Sequence, residues 1–485
     1  MVFTITISSM ILIPFIGALL ASIFRGGAKA IALVFSLVPL VISLSMYQQI
    51  HDPSTLSYVE HYGWISALGI SLKFGIDGLS LPLLILTGIV FPLTIIYSWR
   101  LPYTPHVFYP LMLVLESALI GVFTALDFII FYIFWELTLI PLYFVIGMFG
   151  GPKREHAAIK FFIYTHVGSL VMLLGVFALY FESGIGSFDL LSLIGAFSTL
   201  SPDLRNIIFL AILFGFLVKL PSVPFHGWLP DAYCEAPTPG TVVIASLLSK
   251  MGAYGILRIS LPMLPAVPSL SLFVKILAIL GVVSILYGAF LALAQTDLKR
   301  MIAFSSVSHM GYVLIGVASF SALSLSGAMF QMFSHGLIIA LLFMLVGVIQ
   351  SNTGTRMIPE LGGIANKMPV VAFLVMGGFL ASLGLPGMSG FVAEFLTLMG
   401  AYPSLPVYVL LALIGVLITA SYYIWAMQRA LFGPYNENLG EVKDVGAIQM
   451  LPMAILLGLI VLFGLNPAPI LKLFEAVSVM VEVLI

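Results

Sequence analysis

The chain runs to 485 residues, 61% of them hydrophobic and only 8% charged, with a formal net charge of −1. So few charged side chains cannot clothe a water-soluble surface, for which roughly 25% is usual, and so much apolar surface excludes a disordered chain. The near-neutral balance offers no basic footprint for nucleic acid, and the lone cysteine, Cys234, excludes a disulfide framework, a cysteine-held zinc or an iron–sulfur cluster within this chain.

Runs of about 20 mostly apolar residues are long enough to cross a bilayer as helix. They fall near 2–24, 30–50, 78–99, 107–126, 128–149, 157–181, 207–229, 236–258, 270–294, 301–320, 324–350, 369–399, 404–428 and 447–471. The pattern predicts an all-α polytopic membrane protein with about 14 transmembrane helices, the joins at 126–128 and 320–324 being the least distinct. The first span is too long, and lacks a preceding basic residue, for a cleaved signal. No loop is large enough for a soluble domain; the longest, about 51–77, holds His51, Asp52, Glu60, His61 and Lys73. One set of loops carries twelve Lys and Arg, the other five, and Lys219 and Lys250 fall inside spans. That asymmetry predicts both termini on the outer side of a prokaryotic plasma membrane or an equivalent energy-coupling membrane.

Two spans contain interruptions that a plain helix would not choose: Lys219-Leu-Pro221-Ser-Val-Pro224-Phe225 and Gly384-Leu-Pro386-Gly387-Met-Ser-Gly390-Phe391. Proline removes a backbone donor and clashes with the preceding turn, so helices 7 and 12 are expected to be broken. Breaks at this depth are tolerated where backbone is buried in protein or lines a watered cavity. Their offset of five spans predicts two inverted five-helix repeats, an architecture of ion-coupled transporters. The expected division is 1–106 for helices 1–3, 107–258 for the first repeat (helices 4–8), 270–430 for the second (helices 9–13) and 447–485 for helix 14.

Ionisable residues within spans are costly, roughly 2.5–3.5 kcal/mol each at the bilayer centre, and therefore informative. Glu116, Glu136, Lys219, Lys250 and Glu394 are so placed, with His166, His309 and His335 beside them. Burial disfavours the charged form of acids and bases alike, and an opposite charge nearby restores it. A change in spacing between Glu136 and Lys219 would then load or release a proton, and alternating acids, bases and histidines make a relay. His335 suits a link between the halves. His309 suits either a link or helix packing, His166 reads as a packing residue, and Glu116 as a second proton site or a modulator of Glu136. His226, Asp231 and Glu235 match no metal-ligand spacing and read as capping groups. No phosphate loop or dinucleotide fingerprint is present. Trp64, Trp99 and Trp228 fall near span ends and read as interface anchors.

The stretch Phe131-Tyr-Ile-Phe-Trp-Glu136-Leu-Thr-Leu-Ile-Pro141 resembles the fifth-helix motif of the antiporter-like subunits of respiratory complex I. So do Lys219-Leu-Pro-Ser-Val-Pro-Phe-His-Gly-Trp-Leu-Pro-Asp-Ala-Tyr-Cys-Glu-Ala-Pro-Thr238, Leu247-Leu-Ser-Lys250-Met-Gly-Ala-Tyr-Gly255, Asp297-Leu-Lys-Arg-Met-Ile-Ala-Phe-Ser-Ser-Val-Ser-His309-Met-Gly311 and Phe330-Gln-Met-Phe-Ser-His335-Gly336. The chain resembles most the M subunit, or chain 4, of NADH–quinone oxidoreductases. Glu394 stands where the L and N subunits and Mrp-type relatives usually carry lysine, no long lateral helix follows the last span, and Phe74-Gly-Ile-Asp77-Gly-Leu-Ser80 fits the same type. Tyr233 and Gly240 depart from the usual histidine and serine.

The resemblance implies a proton-translocating, non-redox subunit of an oxidoreductase-type translocase, coupling electron transport elsewhere to proton movement. Glu136, Lys219, Lys250 and Glu394 would carry protons, with Glu116, His309 and His335 assisting. It further implies no cofactor bound by this chain and, as partners, sibling antiporter-like membrane subunits, lipids and a peripheral redox arm bearing iron–sulfur clusters and a quinone-like acceptor site. The donor stays open among NADH, ferredoxin, coenzyme F420 and a hydrogenase module. The alternative is an Mrp-type secondary cation/proton antiporter subunit without a redox partner.

Overall fold

The structure is a computed structural model that describes residues 6–474. In chain order the helices are α1 (Ile7–Ile23), α2 (Ala28–Gln49), α3 (Leu81–Ser98), α4 (Pro105–Thr124), α5 (Phe128–Leu137), α6 (Leu139–Phe149), α7 (Arg154–Ser183) and a short α8 (Leu190–Ala196). There follow α9 (Pro202–Lys219), α10 (Leu229–Glu235), α11 (Thr238–Val243), α12 (Ser249–Gly255), α13 (Leu261–Met263), α14 (Leu270–Leu293) and α15 (Leu298–Ser319). The last are α16 (Ala322–Thr353), α17 (Pro369–Ser382), α18 (Ser389–Ala401), α19 (Pro406–Ala430) and α20 (Ala447–Leu465). Among the described residues, eleven helical segments are long and apolar enough to cross a membrane, with Phe128–Phe149 and Thr238–Ala266 each counted once. Helix is the form that satisfies every backbone group inside its own segment, as hydrocarbon demands. Residues 2–5 of the first expected span, residues 475–485 of the C-terminal segment, and hence both termini, lie outside the described residues.

The two indistinct joins are true helix ends. The Asp127 carboxylate accepts from the backbone N–H of Ile129 at 2.9 Å and caps α5, while Phe320 closes α15 in a left-handed conformation. Asp297 caps α15 as Asp127 caps α5, accepting from Lys299 N–H at 2.8 Å. A carboxylate cap satisfies donors that a helix start leaves unpaired.

Both proline–glycine interruptions break their helices. After Lys219 the chain is irregular until α10, and the freed Val218 carbonyl accepts from the Trp228 indole N–H at 3.0 Å, while Ser284 Oγ accepts from Val223 N–H. Trp228 is therefore fully buried rather than an interface anchor: its ring seals the break that its neighbours create. Between α17 and α18, Gly384 and Gly387 take φ of +82° and +93°, a region that favours glycine. Two further irregularities were not foreseen. The Phe128–Phe149 helix is interrupted at Thr138, where Pro141 cannot donate to the Leu137 carbonyl. The eighth span carries π turns at Ile244–Leu248 and Ile256–Ser260, on either side of Lys250.

The 51–77 segment, expected as a loop, is a β-hairpin: β1 (Ser57–Ile65) pairs antiparallel with β2 (Ile70–Ile76). Its β-branched and aromatic residues suit a strand, and the connecting turn uses Gly69 at φ +66°, where a Cβ would meet the Gly186 carbonyl oxygen at 2.1 Å. Asp127 holds the hairpin by accepting from Ser71 N–H at 3.0 Å, and Lys73 pairs with Asp189. Where the hairpin runs into α3, Asp77 receives a bidentate fork from Arg258, both bonds 2.6 Å. Arg258 also donates to the Tyr254 hydroxyl at 3.2 Å, so the guanidinium pins the π-distorted eighth span to the hairpin.

Removing one partner of a buried ion pair leaves the other charge uncompensated, at a cost of about 3–5 kcal/mol. Arg258→Ala is thus expected to lower sharply the thermal transition of the detergent-solubilised protein, and replacing Asp77 and Arg258 together by Leu and Met is expected to recover part of the loss.

Candidate functional site

The embedded acids and bases gather into two groups. In the first, α5 presents Glu136 and α7 presents His166, whose Nδ1 lies 2.7 Å from Glu136 Oε2. His166 is thus a partner of the glutamate rather than a packing residue, a pairing between helices that intrahelical spacing does not reveal. Lys219 ends α9, and its ammonium lies over the Trp135 ring, 5.2 Å from the centroid. Trp135 is held in turn by its indole N–H, which donates to Ser169 Oγ at 2.9 Å. Lys219 Nζ is buried with no hydrogen-bond partner and forms no salt bridge with Glu136. Cation–π attraction is what holds it there, worth about 2 kcal/mol when desolvated. The Glu136–His166 pair is not sealed: side-chain exposure is 20% and 37%, so it reaches the outer surface of the helix bundle.

Glu116, in α4, stands apart. It is fully buried and neither carboxylate oxygen has a partner.

The second group is continuous and enclosed. A π turn frees a carbonyl from its usual partner, and the Lys250 ammonium donates to one such oxygen, that of Ala245, at 2.7 Å. It donates also to Ser249 Oγ at 3.2 Å and meets His335 Nδ1, from α16, at 2.7 Å. An ammonium has three donors, so Lys250 is fully satisfied by neutral acceptors, with no carboxylate in contact. The His335 ring centroid lies 5.4 Å from that of His309 in α15. His309 Nδ1 lies 3.0 Å from Glu394 Oε1, in α18, and its Nε2 lies 3.1 Å from Ser382 Oγ. His309, Gln331, His335, Ser382 and Glu394 wall a small cavity with about 10 Å³ accessible to a water, and space on that scale suits one molecule. The break after α17 is what brings Ser382 and Glu394 to the same cavity, because a continuous helix would carry their backbones on in one line.

The arrangement joins Lys250, His335, His309 and Glu394 through contacts or a one-water gap. Each histidine can release a proton from one ring nitrogen while accepting at the other. Gln331, Ser382, Ser305 and Tyr423 join the network as well. Gln331 stood within a quoted motif, whereas the hydroxyls of Ser382, Ser305 and Tyr423 carry no signal separating them from the chain's many other serines and tyrosines.

At the Lys- and Arg-rich face, Asp231 pairs with Lys160 at 2.6 Å and Glu235 accepts from Lys153 N–H at 2.9 Å. Lys299 is buried at the start of α15 and donates to the Ala236 carbonyl at 2.7 Å. These groups tie the irregular segment around α10 to its neighbours; Asp231 does so as an ion pair rather than the expected cap, the start of α10 having no side-chain cap, and His226 Nδ1, expected to act with it, has no partner.

Gly252 is what allows the Lys250 helix to approach α9. A Cβ there would lie 2.5 Å from Leu220 N and 2.7 Å from Phe216 O. Overpacking of this kind costs about 1–3 kcal/mol, so Gly252→Ala is expected to lower the thermal midpoint measurably and Gly252→Leu to abolish recovery of the folded protein; an unchanged midpoint for both would show that the helices are not held this close.

The model of the family described as "NADH:quinone oxidoreductase/Mrp antiporter, TM" matches residues 125–419. The chain is 52% identical, over 96% of each chain, to F(420)H(2) dehydrogenase subunit M of Methanosarcina mazei. It is 40% identical to NADH-quinone oxidoreductase subunit M of Rhodobacter capsulatus, over 93% of this chain and 91% of that one. Among solved structures it is similar to a chain of respiratory complex I from Thermus thermophilus with bound NADH, with a TM-score of 0.90, 28% identity, and coverage of 99% and 100%. The chain belongs to the NADH:quinone oxidoreductase/Mrp antiporter membrane family, as an antiporter-like subunit of the M, or chain 4, type.

Proposed function

We propose that this chain is a proton-translocating membrane subunit of a complex I-type oxidoreductase, moving protons through its buried lysines, histidines and glutamates while partner subunits carry the electrons. The observation that carries this reading is the enclosed Lys250–His335–His309–Glu394 series, in which every neighbour can exchange a proton and none is a fixed counter-charge. A structural ion pair would bring opposite charges together; here the buried ammonium is met by an imidazole instead.

In this mechanism Glu136 and Lys219 form the control end. The Glu136 charge acts on Lys219 without touching it, so a small movement of α5 against α9 changes how firmly Lys219 holds its proton. A closer glutamate favours the ammonium, and a more distant one favours release toward Lys250. The Trp135 face attracts only the charged form of Lys219, so it adds to the glutamate's pull on the ammonium and lapses when the proton leaves. Division into two inverted halves, 107–258 and 270–430, is supported by the matched caps Asp127 and Asp297 and by the matched breaks after Lys219 and Ser382. The half-open Glu136–His166 pair supports a neighbouring membrane subunit at that surface, since ionisable groups facing lipid are costly. The 52% identity to a subunit of an F(420)H(2) dehydrogenase, against 40% for the Rhodobacter NADH–quinone subunit, favours reduced F420 over NADH as the donor to the redox arm.

Purification in mild detergent with identification of the co-purifying chains tests the complex directly. Recovery of sibling antiporter-like subunits and an iron–sulfur redox arm is expected; recovery with small membrane partners alone, and transport driven by a sodium gradient, would contradict it and leave the Mrp-type reading. Lys219→Ala is expected to cut proton pumping sharply while leaving assembly intact, and pumping at the wild-type stoichiometry would remove Lys219 from the mechanism.

A further inference from the structure

His309 spends one ring nitrogen on Glu394 and the other on a side branch that the series from Lys250 does not use. Its Nε2 lies 3.1 Å from Ser382 Oγ, Ser382 donates to the Tyr423 hydroxyl at 2.8 Å, and Tyr423 donates to Ser305 Oγ at 3.0 Å. All four side chains are buried. Ser305 and Tyr423 each lie seven residues from the end of their helix that adjoins the Lys- and Arg-rich face, roughly 10 Å of rise. One turn of α15 before Ser305, Met301 joins Gln295, Tyr422 and Arg429 in walling a second cavity with about 10 Å³ accessible to a water. The Tyr422 ring packs at a tilt against Tyr423, centroids 4.5 Å apart, and its buried hydroxyl has no hydrogen-bond partner.

We propose that Ser382, Tyr423 and Ser305 form a hydroxyl branch that carries protons between His309 and the Lys- and Arg-rich face of the membrane domain, through the cavity at Gln295 and Arg429. The proposal rests on the proton-carrying role given above to His309 and Glu394. Most buried hydroxyls are bonded to something, and packing alone is served by a nearby carbonyl, as Ser305 is by that of Ile302 at 2.8 Å. Ser382 and Tyr423 instead donate each to the next hydroxyl in line, they start from the imidazole nitrogen that Glu394 leaves free, and they lead toward one face.

Transfer along the branch balances atom by atom. A proton from Glu394 Oε1 binds His309 Nδ1, and the imidazolium gives its Nε2 proton to Ser382 Oγ. Ser382 passes its own hydroxyl proton to Tyr423, and Tyr423 passes its own to Ser305, so each oxygen gains one proton and loses one. Ser305, whose hydroxyl otherwise donates to the Ile302 carbonyl at 2.8 Å, turns away from it to deliver the last toward the second cavity, one helical turn on. Rotation of the three hydroxyls, with return of His309 from the Nδ1–H to the Nε2–H tautomer, resets the chain, and the same atoms run in reverse bring a proton inward.

The test uses the intact complex in liposomes, driven by its own electron donor, with protons moved per electron as the readout. Tyr423→Phe removes one hydroxyl and keeps the ring packed against Phe379 and Tyr422. Its ratio is expected to fall as far as that of Glu394→Gln, measured alongside. Ser382→Ala cuts the branch one atom earlier without disturbing the tyrosine packing, and is expected to reproduce the fall. Tyr312→Phe removes an equally buried hydroxyl near His309 that lies off the branch, and its ratio should match the wild type. A wild-type ratio in assembled Tyr423→Phe or Ser382→Ala, with Glu394→Gln impaired, would overturn the branch and leave the wider mechanism standing. A wild-type ratio in Glu394→Gln would remove both.

Discussion

A charge is costly to leave without partners in hydrocarbon, and that constraint organises the structure around Lys250. Lys250 sits where a plain α-helix would offer it no acceptor. Its span takes π turns on either side, one freed carbonyl turns to the ammonium, and an imidazole from α16 completes the set. The irregular backbone, costly by itself, is what makes the buried charge tolerable. The same trade recurs at the breaks after α9 and α17, where unpaired backbone is satisfied by Trp228 and Ser284 in one case and by glycine-enabled turns in the other. Irregular backbone lies close to four of the embedded ionisable residues, Glu136, Lys219, Lys250 and Glu394.

Satisfying a charge with neutral partners differs in consequence from satisfying it with a counter-charge. Asp77–Arg258 shows the second solution: a bidentate, fully formed pair that fixes the hairpin to the eighth span. It suits a pin, because neither partner gains by changing its protonation. Lys250–His335 shows the first, and there either partner can hold the proton. Both solutions occur on one helix, two turns apart, so the span is anchored at one end and adjustable in its middle. Lys219, facing an aromatic ring and without a hydrogen-bond partner, is the least satisfied of the three cations, which is why the proposed mechanism places control by a moving carboxylate there.

Much of this was legible from the residues. Long apolar runs leave little choice but helix, and in spans so uniformly apolar the few acids and bases are conspicuous; Glu136, Lys219, Lys250 and Glu394 needed no structure to be noticed. The proline–glycine breaks were legible for the same reason. What escaped was everything set by the register of one helix against another. His166 pairs with Glu136 across two helices, and its own surroundings in sequence resemble packing. Trp228, near a span end, reads as an interface anchor until the break beside it is seen to need a donor. The 57–76 hairpin was half legible: Ile70-Ser-Leu-Lys-Phe-Gly-Ile76 alternates as a strand does, whereas the exposed Ser57–Ile65 strand does not. Ser382 and Tyr423 belong to residue types too common within these spans to stand out.

The central claim is that the contact between Lys250 and His335 passes protons rather than merely fixing two helices. The most direct measurement is the proton-to-electron ratio of the intact complex carrying Lys250→Met, a side chain of similar length with no proton to give. The mechanism predicts an assembled complex that transfers electrons with a clearly lowered ratio. An assembled complex with the wild-type ratio would contradict it, and would reduce the buried lysine to a structural part.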